Sequence, residues 1–149
     1  MIDDQDGNFP IEGFPFVRAG EWLLRMPNQR PTKSGLYPSL VHPIKDKRVL
    51  YAFVVSGRPQ YIGVCKEKGT TLKDRMDRYQ NIQGGSPQSN RESTNQRIAR
   101  LIRERLEASE RVEICAYRPE PIPFGQLLID PILSLEDALI ACVKLPWNR

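Results

Sequence analysis

The 149-residue chain predicts an α+β fold: a small three-stranded antiparallel sheet flanked by helices, with an extended N-terminal arm. Three observations predict it. Short β-rich runs at 49–55, 60–65 and 111–117 are bounded by turn residues. Three other segments carry apolar residues at helical spacing behind a Ser or Thr. Residues 1–47 hold six of the thirteen prolines and keep no steady period. The chain accordingly divides into an arm over 1–47 and a folded domain over 48–149.

Taken in order, residues 16–24 of the arm fit one or two short strands, anchored to the body by Phe14, Phe16 and Trp22. Residues 49–55 and 60–65 form a hairpin around Ser56-Gly57-Arg58-Pro59. Side chains alternate across a sheet, so Tyr51 and Tyr61 share a face only if this connection has three or five residues or a bulge at Gly57. A helix over 70–79 follows, capped by Thr70 or Thr71, with Leu72 and Met76 in contact. Residues 80–95 are a polar loop. Ser93 and Gln96 form a capping box for a helix over 96–108, with Ile98, Leu101, Ile102 and Leu106 on one face. After the strand at 111–117 comes a Pro-rich loop over 119–131, with a short strand near 126–129. A last helix opens at Ser134, with Asp137 completing its box, and ends before Pro146.

Composition excludes several function classes. No apolar run is long enough for a membrane span, and the acidic start lacks the apolar core of a secretory signal, so a cytoplasmic location is expected. Cys65, Cys115 and Cys142 are odd in number and far apart; they read as small buried hydrophobes. The lone histidine, His42, excludes chemistries that need a His pair. Between Arg58 and Arg105 stand eleven Lys or Arg against five acids, a net +6, which fits either a phosphate-facing surface or a solvated one.

Val49-Leu50-Tyr51, then Tyr61-Ile62-Gly63, a helix bearing Arg75 and Tyr79, Leu135-Glu136-x-x-Leu139-Ile140, and Pro146-Trp147-Asn148 follow one another over about 100 residues. This series resembles the GIY-YIG nuclease family, its restriction-type and standalone members most closely. Three features depart from the pattern. The first motif lacks its glycine, residues 66–69 lengthen the link to the Arg helix, and Tyr79 stands where many members place a histidine. The last departure leaves the general base open.

The resemblance implies a metal-dependent DNA endonuclease leaving 5′-phosphate and 3′-hydroxyl ends. Its catalytic set would be Tyr51, Tyr61, Arg75, Tyr79, Glu136 and Asn148. Glu136 is the metal ligand, holding one Mg²⁺ or Mn²⁺ that keeps most of its waters. Arg75 matches phosphate geometry as a rigid fork. Tyr51 would orient or deprotonate water, Tyr61 would hold phosphate or a metal-bound water, and Asn148 would tie the last turn to the sheet. Lys73, Arg78, Thr94, Asn95, Arg97 and Arg100 are the candidates for DNA phosphate contacts, although 93–95 also reads as a plain helix cap. With the sequence stopping at Arg149, specificity is expected from the arm, the 80–95 loop or a second subunit, and a homodimer would let both strands be cut. The alternative is a catalytically inactive nucleic-acid-binding or protein-interaction module on the same fold.

Overall fold

The computed structural model describes residues 7–41, 45, 47–66, 69–83 and 92–148. His42, residues 67–68 of the lengthened link and residues 84–91 of the 80–95 loop lie outside the described residues. Strands β1 (Val17–Leu24), β2 (Leu36–Leu40), β3 (Leu50–Val55), β4 (Arg58–Val64) and β5 (Val112–Tyr117) form one antiparallel sheet in the order β2-β1-β5-β3-β4. Helices α1 (Leu72–Gln80), α2 (Thr94–Glu107) and α3 (Ile132–Cys142) flank it, and β6 (Ile122–Phe124) with β7 (Leu127–Ile129) makes a separate hairpin.

The sheet therefore has five strands, not three. The two extra ones come from the Pro-rich N-terminal segment, where β1 pairs with β5 and β2 pairs with β1. Pro38 sits inside β2 opposite Trp22. A proline cannot donate to a ladder, so it is tolerated there because β2 is an edge strand with only one neighbour. The feature that makes this segment read as an arm is the one that marks it as a sheet edge.

Central strand β3 is buried along its whole length because both faces are covered. Tyr51, Phe53 and Val55 point to one side, where they meet Leu72, Met76 and Tyr79 of α1 and Ile98 and Ile102 of α2. Leu50, Ala52 and Val54 point to the other, against Ile11 and Phe16 of the N-terminal segment and Ile132 and Leu139 of α3. The result is three layers with the sheet in the middle. Both clusters exclude water from large apolar side chains, the dominant favourable term in folding.

Local signals decide most element ends. Thr71 caps α1 and Ser93 caps α2, each in a reciprocal box with the residue three positions on. The last helix departs from its expected start. It begins at Ile132, two residues before Ser134, with Pro131 at the cap position and no side-chain bond from it. Instead the Asp130 carboxylate accepts from the Ile132 amide at 3.1 Å, so Ser134 and Asp137 are ordinary exposed helical positions. The expected short strand near 126–129 is the second half of the β6–β7 hairpin. Cys65 and Cys115 are buried as expected, but Cys142 is exposed at the end of α3.

Candidate active site

The hairpin that carries the two tyrosines is tighter than expected. Ser56 and Gly57 form a two-residue turn with positive φ at both positions (52° and 76°), the primed geometry that matches strand twist. The side-switching residue is elsewhere: Phe53 pairs with Tyr61 while Val54 pairs with Pro59, so Gln60 is the bulge rather than Gly57. With that extra residue, Tyr51, Phe53 and Tyr61 fall on the same face, and the Tyr51 and Tyr61 ring centroids lie 6.3 Å apart.

Tyr51 is opposite Gly63 in the register, and its ring lies over that glycine. A Cβ on Gly63 would stand 2.5 Å from both Cζ and Oη of Tyr51, so only a residue without a side chain fits beneath the phenol. The glycine of Tyr61-Ile62-Gly63 is thus a packing requirement of Tyr51.

Helix α1 delivers the cation. Arg75 and Tyr79, one turn apart, share a face. The Arg75 Nε donates to the Tyr51 hydroxyl at 2.9 Å, and the Tyr51 and Tyr79 hydroxyls are 2.8 Å apart. The Arg75 guanidinium also lies 5.5 Å from the Tyr79 ring centroid. Tyr51 and Tyr79 are both wholly buried, whereas Tyr61 keeps 7 % of its surface exposed. Burial, then the neighbouring Tyr61, pushes the Tyr51 phenol far above its ordinary pKa, and burial does the same to Tyr79. Both are neutral phenols at any ordinary pH. The half-buried Arg75 makes its hydrogen bond through Nε alone, which leaves its terminal nitrogens without a hydrogen bond among the described residues.

The carboxylate comes from the opposite layer. On α3, Glu136 stands four residues after Ile132, three before Leu139 and four before Ile140, inside the stripe that packs on the sheet. Burial raises its pKa, helped by Asp137, while Lys66 and Arg75 pull it down. The positive charges of Lys66 and Arg75 are thus both felt at Glu136. Lys66 is an exposed cation just after β4 that the motif reading passed over; its signal in the sequence was only its position after Cys65. Among the described residues no three His, Cys, Asp or Glu side chains come together.

Asn148 closes the edge of the sheet. Its Oδ1 accepts from the Ile62 amide at 2.9 Å and its Nδ2 donates to the Ile62 carbonyl at 3.1 Å, while the Trp147 amide donates to the Gln60 carbonyl at 2.8 Å. The side-chain amide satisfies both backbone groups of an edge-strand residue. Leu145 belongs to one core cluster and Trp147 to the other, so the C-terminal turn passes around β4 from one layer to the next.

The expected DNA-contact residues divide. Lys73 is exposed and pairs with Asp77 one turn on; Arg78 and Thr94 are exposed and Asn95 half-exposed. Arg97 is turned inward: only 7 % exposed, it donates to the Trp147 carbonyl at 2.8 Å and so pins the C-terminal turn to α2. Arg100 is held by Glu92 at 2.8 Å and Glu104 at 3.1 Å. Neither presents a free guanidinium to a surface ligand, because helical periodicity alone does not say which arginine faces an adjacent layer.

No family model and no curated protein sequence matches the chain. Among solved structures, it is similar to a mutant of bacteriophage T4 EndoII, with a TM-score of 0.62 and 20 % identity over 90 % of this chain and 92 % of that one. The two share a fold. A structure of the restriction endonuclease HPY188I in complex with product DNA is similar at a TM-score of 0.48 and 17 % identity, over 87 % of this chain and 80 % of that one. Among the described residues no helix is long and apolar enough to cross a membrane.

Proposed function

We propose that this chain is a DNA endonuclease of the GIY-YIG type that hydrolyses phosphodiester bonds with one divalent ion. The observation that carries this reading is the cluster in which the Arg75 Nε donates to the Tyr51 hydroxyl, with Tyr79 bonded to and Tyr61 packed beside the same phenol, in a fold shared with a phage endonuclease structure.

The burial of two phenols changes the roles the motif implies. Tyr51 and Tyr79 have no exposed surface, so in this arrangement neither touches the attacking water. They act as positioning residues: Tyr51 accepts from the Arg75 Nε, and Tyr79 holds the Tyr51 hydroxyl in place. The fork of Arg75 then faces the scissile phosphate with its terminal nitrogens and neutralises the charge that grows on the phosphate oxygens. Tyr61, at the margin of the cluster, is the phenol able to hold a water or a phosphate oxygen. A water oxygen bonds to phosphorus as the bond to the 3′ oxygen breaks, and that oxygen takes up a proton. Glu136 would hold the divalent ion, whose chemistry is to relieve phosphate charge and to acidify a bound water. Lys66 beside Glu136, and the exposed Lys73 and Arg78 on α1, would hold neighbouring phosphates and position the duplex without reading its sequence.

The test is nicking of supercoiled plasmid with Mg²⁺ or Mn²⁺ by wild type, Arg75→Ala and Glu136→Ala. Cleavage that needs the metal, stops with a chelator and falls by at least about a hundredfold in both variants supports the enzyme. Salt-sensitive DNA binding without cleavage by the wild type supports the inactive module instead.

A further inference from the structure

We propose that the cleft between β2 and α1 holds the phosphate backbone of the second strand of a duplex, across α1 from the strand that meets Arg75. The proposal rests on the nuclease reading only for what Arg75 binds. The cleft measures about 340 Å³ and is lined by Arg30, Tyr37, Lys73, Asp77 and Gln80 among others. Its charge comes from the N-terminal segment. Residues 22–41 contain Arg25, Arg30 and Lys33 and no acid, a net +3. All three are exposed, and none is ion-paired among the described residues. Asp77, the acid of the lining, is already held by Lys73 at 2.9 Å. Cations gathered beside an open cleft attract a phosphate backbone and gain from the release of its counterions.

The loop that carries these cations is tied down by hydrogen bonds. The Ser34 hydroxyl donates to the Gln80 carbonyl at 2.8 Å and the Ser34 amide to the same oxygen at 3.2 Å, which joins the loop to the last turn of α1. Ser34 is only 2 % exposed. The Thr32 hydroxyl donates to the Leu36 carbonyl at 3.1 Å, and the Tyr37 hydroxyl donates to the Arg30 carbonyl. A ligand therefore meets cations on a backbone that is already ordered, which lowers the entropic cost of binding.

Helical geometry sets the cleft apart from Arg75. Successive helical residues turn by about 100°, so Lys73 and Arg75 point about 160° apart. Lys73, Asp77 and Gln80 line the flank of α1 that faces β2, and Leu72, Met76 and Tyr79 are buried beneath the helix. Arg75 leaves the other flank to reach Tyr51. A helix with its side chains is about 10–12 Å across, and the major groove of B-DNA is about 12 Å wide. With the exposed ridge of α1 in that groove, its two flanks face the two strands: Arg75 meets one, and Arg30 and Lys33 meet the other. A single strand follows one flank only.

Fluorescence anisotropy of the full chain in EDTA tests it, with a short labelled duplex and with one of its strands alone, each titrated with salt. The variants are Arg30→Ala/Lys33→Ala and a control, Arg118→Ala/Lys144→Ala, which removes as much exposed positive charge elsewhere. All four positions are exposed, so an unchanged far-UV spectrum is expected of both variants. In the cleft variant, duplex affinity is expected to fall on the order of tenfold and the slope of log K against log salt by about 1.8. Its single-strand binding and all binding by the control stay at the wild-type level. Equal losses in the two variants, or equal losses on duplex and single strand, overturn the proposal, as does a wild type that binds neither. Plasmid nicking read in parallel separates this site from the nuclease reading. Nicking by the wild type, with a cleft variant that binds duplex as the wild type does, removes the site and leaves the nuclease standing. Duplex binding that needs the cleft, without any nicking, removes the nuclease and keeps the site.

Discussion

Replacing Gly63 with alanine adds a single methyl group 2.5 Å from Cζ and Oη and 3.0 Å from Cε2 of Tyr51. Carbon atoms rest at about 3.5–4.0 Å, so the phenol must move by about 1 Å or the two strands must part. The ring has nowhere to go. It is wholly buried, and the rings of Phe53, Tyr61 and Tyr79 lie around it at centroid distances of 5.4, 6.3 and 6.4 Å. Overpacking of this kind costs about 1–3 kcal/mol. Disturbing the bond from Arg75, which is charge-assisted, costs about 1.5 kcal/mol more. Against this, alanine in a strand is favoured over glycine by about 0.5–1 kcal/mol. The expected net loss is about 2–3 kcal/mol, or a Tm lower by roughly 5–10 °C in a chain of this length. Urea unfolding followed by circular dichroism measures it. The decisive comparison is the same substitution in a Tyr51→Leu background, where the clash is gone and the cost falls below about 0.5 kcal/mol. Equal losses in the two backgrounds would refute the idea that this glycine exists for the phenol above it.

Four further predictions follow the same geometry. Tyr51→Phe removes two hydrogen bonds, one of them from a cation, and Tyr79→Phe only one, so the losses are expected near 2–3 and about 1 kcal/mol in the same urea series. Asn148→Asp keeps acceptance from the Ile62 amide but loses donation to its carbonyl, costing about 1–3 kcal/mol at neutral pH. Only the protonated carboxyl can donate, so its folded-state pKa lies above the unfolded value and the deficit shrinks as pH falls through that interval. Arg97→Met is expected to lose about 2–4 kcal/mol and to speed amide exchange in the 145–148 turn, while Lys73→Ala, an exposed pair with Asp77, stays within about 0.5 kcal/mol. Burial holds the Glu136 carboxyl above its usual range, so its ionised form opposes folding. Glu136→Gln therefore raises Tm at neutral pH, and scanning fluorimetry should show the gain fading as pH drops through the carboxylate range and absent below the unfolded-state value.

Glu136 was legible only through the resemblance carried by Leu135-Glu136-x-x-Leu139-Ile140; taken alone it read as a first-turn acid complementing the helix dipole, whereas the helix starts at Ile132 and holds it half-buried. Arg75 and Tyr79 were legible as a pair, since a four-residue spacing on a capped helix puts both on one side, and both reach Tyr51. The need for an odd-length connection or a bulge between Tyr51 and Tyr61 followed from strand parity. Its place at Gln60 did not, because a two-residue turn and a displaced bulge satisfy the same parity as a longer loop.

What failed to show in the sequence has one physical origin. Pro38 looks like a breaker until it is known that β2 has a neighbour on one side only. Arg97 and Arg100 look like surface cations until Trp147 and Glu92 are brought against α2 from positions distant or displaced along the chain. Tyr51 looks like a group that touches water until three rings close over it.

Caps, turns, helical and strand periods and the inventory of chemical groups are interactions between residues a few positions apart, and the amino-acid order alone determined them. Which strand lies at an edge, which phenol reaches solvent, which arginine is locked inside and which apolar hairpin is left uncovered were decided only in the folded chain. Each of those depends on contacts between segments 20 to 95 residues apart, such as Arg18 with Glu113, Tyr51 with Tyr79 and Ile62 with Asn148, and burial is a property of the assembled layers rather than of any segment within them.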